Sequence, residues 1–90
     1  MIVEHEIIEQ IEEEENGRPL AWSRDLIRGL GRADPLMVLQ EMWRAGYVTL
    51  VDDTGRVLPP WRCEEVFREQ GEWGPVRVVA TSHGSRWVHG

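Results

Sequence analysis

Glycine and proline cut this 90-residue chain into short pieces, and that punctuation limits what it can become. Asn16-Gly17, Pro19, Gly31, Asp34-Pro35, Gly46, the Asp52-Asp53-Thr54-Gly55 cluster, Pro59-Pro60 and Gly71 each stop or turn the backbone. The pieces between them suit helices of about ten residues or strands of about five. None approaches the roughly 20 apolar residues that span a bilayer, so no membrane contact is expected. A chain of this length organises a single core. Residues 1–74 are expected to form one domain, with 75–90 as an extension packed on it or on a second copy. The acidic N-terminus is unlike a secretory signal, and a cytoplasmic location is expected.

Val3, Ile7, Ile8 and Ile11 recur at helical spacing with glutamates between them, which predicts an amphipathic first helix over Ile2 to Glu15. Arg18-Pro19-Leu20-Ala21 reads as a short extended piece, because proline pushes its predecessor out of the helical region. A second helix is expected from Trp22 or Ser23 to Leu30, with Ser23 as its N-cap and Leu26, Ile27 and Leu30 inward. Asp34-Pro35 joins a capping carboxylate to the residue whose missing N–H does no harm at a first helical position. The third helix should run from Pro35 to Ala45, with Leu36, Leu39, Met42 and Trp43 on its inner side.

Beyond Gly46 the residue types change. Tyr47 to Val51 is rich in β-branched and aromatic residues, Asp52 to Gly55 is a turn, and Arg56-Val57-Leu58 returns, which together signal a β-hairpin. Pro59-Pro60 opens a fourth helix, Trp61 to Gln70, with Val66 and Phe67 inward. The tail reads as a second hairpin, with strands Val76 to Ala80 and Ser85 to His89 about a Thr81 to Gly84 turn. Such a hairpin is marginal alone and should extend the sheet or pair with another copy. The expected class is therefore α+β.

The order helix, short extended piece, helix, helix, hairpin resembles the winged helix-turn-helix family. Asp25-Leu26-Ile27-Arg28-Gly29-Leu30-Gly31 looks like the family's acidic-Leu-Ala-x-x-Leu-Gly stretch. Leu39 to Val48 looks like a recognition helix running through Gly46 into the first wing strand, and Asp52 to Arg56 like a wing tip. The likeness covers roughly residues 1–70 and is made of packing and turn residues, so it bears on architecture more than on function. It implies a three-helix core with a hairpin wing. The fourth helix, the tail and the abundance of tryptophan depart from the pattern.

Family geometry implies binding to double-stranded DNA, with the third helix in the major groove and the second helix, turn and wing on phosphates, as in a small transcriptional regulator. The residues it points to are Arg24 and Arg28 on the second helix, Arg32 in the turn, Gln40 and Arg44 on the third helix, and Arg56 on the wing. Gln40 suits adenine and Arg44 suits guanine. Arg24 and Arg28 would equally serve to keep a helix soluble. The net charge of −6 is lopsided: seven glutamates and no arginine in residues 1–15 give −7, which leaves +1 for the rest. All ten basic residues are arginine. The outward side of the third helix, read as Asp34, Met37, Val38, Gln40 and Glu41, is poor for base edges. Met37 and Val38 there suit a protein groove better, so a protein-binding module is the alternative, its acidic first helix meeting a basic partner. Glu12 to Glu15 otherwise form a solvated face.

Enzyme chemistry finds no support. His5, His83 and His89 lack ligand spacing and read as surface or turn residues, and Cys63 has no nucleophile context and reads as a small apolar residue. No metal, cofactor or catalytic residue is expected. Five tryptophans exceed what so small a core can hide. Trp43 and Trp61 are expected between the third and fourth helices. Trp22, Trp73 and Trp87 are expected at a homodimer contact made by the fourth helix and tail.

Overall fold

The computed structural model describes residues 2–69 and 75–90. The elements run α1 (Val3–Glu12), β1 (Arg18–Pro19), α2 (Leu20–Gly29), α3 (Pro35–Arg44), β2 (Val48–Val51), α4 (Pro60–Arg68), β3 (Arg77–Ala80) and α5 (Ser82–His89). Among the described residues the architecture is α+β, with five helices and a three-stranded antiparallel sheet of order β1-β3-β2.

β3 comes last among the strands yet lies in the middle. It pairs with β1 through Arg18↔Val78 and with β2 through Leu50↔Val78. Val48, Leu50 and Val78 point into the core and are essentially unexposed, as the period of two requires. Against that face pack Ile7, Ile8 and Ile11 of α1, Leu20 and Ile27 of α2, and Leu39 and Met42 of α3. Cys63, Val66 and Phe67 of α4 close the core.

Local chemistry explains most boundaries. The Asp34 carboxylate accepts from the Met37 backbone N–H at 3.2 Å and Pro35 takes the first turn, so α3 begins where expected. Gly46 leaves that helix with φ +83°, the left-handed conformation a glycine adopts without strain. α2 starts earlier than expected. Ser23 is not its N-cap: it is buried inside the helix and donates from Oγ to the Leu20 carbonyl at 2.6 Å. The cap is tertiary instead, because the Leu20 N–H reaches the Val76 carbonyl at 3.1 Å across to the strand side.

The tail hairpin is corrected outright. Its first half is β3, the central strand, and its second half is the helix α5. Thr81 caps that helix, its hydroxyl accepting from the Gly84 N–H at 3.0 Å and donating to the Gly46 carbonyl. The Ser85 to His89 segment, expected as a strand, is helical because the Thr81 cap starts a helix ahead of it. The return of the first hairpin is also short. It amounts to one bridge, Val51↔Val57, closed by hydrogen bonds from Leu58 N–H to the Leu50 carbonyl and from Asp52 N–H to the Arg56 carbonyl, both 2.9 Å, before Pro59-Pro60 turns the chain into α4.

Candidate functional site

The helix α3 buries Pro35, Val38, Leu39 and Met42. Val38, expected to face a partner, is only 9% exposed, because it lies between Pro35 and Met42 on the same three- and four-residue stripe. Met37 is 55% exposed and belongs, with Glu41 and Arg44, to the outward stripe.

Turning to α4, its inner face is Cys63, Val66 and Phe67, so Trp61, Glu64 and Arg68 at spacings of three and four share the opposite one. Trp61 is therefore not packed between α3 and α4; it is 65% exposed. Trp43 does meet α4, its ring 5.7 Å from that of Phe67. Just outside that contact lies a groove of about 350 Å³ lined by Gln40 and Arg44 of α3 and by Glu64, Phe67 and Arg68 of α4. Gln40 and Arg44, both singled out in the sequence, are brought together there. Arg68 joins them unforeseen; the signal for it was its seven-residue spacing from Trp61.

The remaining arginines differ in their partners. Arg24 pairs with its neighbour Asp25 at 3.7 Å, Arg28 is exposed, and Arg32 is held by Glu4 of α1 at 3.2 Å. Arg56 stands exposed at the turn after β2, where the Asp52 carboxylate accepts from the Thr54 N–H and hydroxyl and from the Arg56 N–H at 2.6 to 3.0 Å. The Thr54 hydroxyl bond, foremost, holds the Asp52 carboxyl below its usual range. That turn therefore presents fixed negative charge beside Arg56.

Acids at the end of α1 and just beyond it have intramolecular partners. Arg18 reaches Glu13 at 3.3 Å and Glu14 at 3.4 Å while covering the Trp22 ring at 4.6 Å. Glu12 accepts from the Ser85 hydroxyl at 2.7 Å and meets His89 Nε2 at 2.9 Å, contacts that hold its carboxyl below the usual range, the Ser85 bond foremost. Trp87 is 36% exposed and spends a ring face on Tyr47, and Trp73 lies outside the described residues. Cys63 is buried, and desolvation pushes its thiol up, which suits a packing role.

Comparison with protein-family models, with curated proteins and with solved structures finds no match to this chain. Among the described residues no helix is long and apolar enough to cross a membrane.

Proposed function

We propose that this chain is a protein-binding module of winged-helix type, which offers α3 and α4 together as one surface to another protein. Support for the winged-helix arrangement comes from its order of elements: a helix, a short strand, two helices and a strand, with sheet order β1-β3-β2. In this reading α4 is an insertion within the wing, between β2 and β3. The single observation that carries the binding assignment is Trp61. A tryptophan left 65% exposed, four residues from Val57 at 64%, on a segment stiffened by Pro59-Pro60, has no packing duty that would explain it. Large rigid aromatics in such positions are the residues that anchor protein interfaces.

Duplex DNA is the second reading, favoured by the same arrangement and by exposed Arg28, Arg44 and Arg56, which have no ion pair among the described residues. Charge and shape weigh against it. Arg44, on the outward stripe of α3, lines with Gln40 a groove shared with α4, whereas a major groove about 12 Å wide admits one helix. Over α2 to α3 four arginines meet Asp25, Asp34 and Glu41, and the turn beyond β2 adds Asp52 and Asp53.

Chemical cross-linking in the cells that make the protein tests the proposal. A discrete cross-linked protein species is expected with the natural chain and not with Trp61→Ala, whose melting temperature should be unchanged. A species that persists in the variant, or adducts to nucleic acid alone, contradicts it.

A further inference from the structure

The groove between α3 and α4 also carries information about what it holds. Its lining combines two guanidinium groups, an amide and an aromatic floor, with one carboxylate, Glu64, on the rim. Arg44 and Arg68 each stand in the last turn of their helices, at the negative ends of the two helix dipoles. Both are exposed, and neither has an ion pair among the described residues, whereas Arg18, Arg32 and Arg62 are each engaged by glutamates. In a chain of net charge −6, the lining of this groove carries two guanidinium groups to one carboxylate, beside apolar surface.

Resting on the partner-binding reading above, we infer that the groove takes an acidic segment of another protein. That segment sets its carboxylates against Arg44 and Arg68 and an apolar side chain against Trp61. Guanidinium matches carboxylate with paired, charge-assisted hydrogen bonds, which gives the site its chemical preference. A free small anion lacks the apolar half of the match, and an open groove in water holds such an ion weakly. A second copy of this chain would bring acids that are partly engaged already, Glu4 by Arg32, Glu12 by Ser85 and His89, and Glu13 and Glu14 by Arg18. Duplex DNA carries a charge about every 1.7 Å along its axis and would set phosphates against Glu41 and Glu64 as well. A peptide can place its acids singly and leave a neutral residue opposite Glu64.

The experiment is a titration of the isotope-labelled full chain, followed by nuclear magnetic resonance, with a capped peptide of repeating Glu-Ser-Leu. The same peptide with Gln or Lys for Glu, and a short DNA duplex, serve as comparisons. Shifts are expected at the side-chain N–H signals of Arg44, Arg68 and Trp61. The Gln peptide should bind about tenfold more weakly, and so should the Glu peptide to Arg44→Ala/Arg68→Ala, while Arg86→Ala, on α5, should bind as the natural chain does. No shift at these signals, equal binding of the Gln or Lys peptide, tighter binding of the duplex, or indifference to the two arginine changes would overturn the inference. Indifference to the arginines combined with loss on Trp61→Ala would overturn the acidic assignment alone and leave the partner-binding reading standing.

Discussion

Trp87 lies flat on Tyr47, the ring centroids 4.2 Å apart and the planes 6° from parallel. The stack fastens α5 to the start of β2, and His83 and His5 extend it, at 5.1 Å from Tyr47 and edge-on at 4.3 Å from Trp87. Residues from both chain ends thus meet around one tyrosine. Trp87→Ala should lower unfolding stability by about 2 kcal/mol, the sum of a lost stack and partly lost burial. Urea denaturation measures this, and an unchanged midpoint would show that the stack contributes nothing to stability.

Two glycines should respond in opposite ways to alanine. A Cβ at Gly84 would run into the backbone carbonyl of Tyr47, which cannot move without breaking the bond it accepts from Thr81 N–H. Gly84→Ala should therefore destabilise by about 3 kcal/mol, the range of overpacking. At Gly29, in the last turn of α2, nothing lies within 4 Å of the added atom, and Gly29→Ala should stabilise by about 0.5 kcal/mol. Thermal melts of the two variants check the pair.

Glu12 predicts a pH dependence. Its carboxyl titrates in the folded chain below the ordinary value of 4.5, held there first by the Ser85 hydroxyl and then by His89. A depressed folded value means that the stabilisation is fully present above pH 4.5 and fades as pH falls through the lower, folded value. Glu12→Gln should flatten that acid limb of the stability curve, and an identical limb in the variant would contradict the assignment.

The cap of α3 is testable at Asp34. Asp34→Ala removes the acceptor for the Met37 N–H and should cost about 1 kcal/mol, while Asp34→Asn should be nearly neutral. Equal losses in the two variants would point to charge rather than capping.

What could be read from the residues follows where the signals are local. α1 and α3 are legible because Ile7, Ile8 and Ile11, and Leu39 and Met42, repeat at helical spacing, and because Asp34-Pro35 marks a start by itself. The start of α2 is not, since its first N–H is satisfied by Val76, 56 positions further on. α5 was not legible, because Thr81, which caps it, reads equally as the start of a turn. Its Trp87 and Val88 suit a strand, and the stacking and the Glu12 contacts that hold it as a helix come from distant segments. The histidines looked scattered because the chain ends are far apart in sequence, yet all three lie where α5 meets α1 and Tyr47. At the groove, Gln40 and Arg44 were legible from α3 alone, whereas Arg68 gained significance only once α4 was placed beside them.

Binding to DNA gives the most direct measurement against the central claim that α3 and α4 face a protein. Fluorescence anisotropy of a labelled random duplex, titrated with the chain at low and moderate salt, is predicted to show no saturable binding at micromolar concentrations. Saturable binding that falls steeply with salt, by about 0.9 in log–log slope per phosphate contacted, and that weakens in Arg28→Ala and Arg44→Ala, would contradict the account.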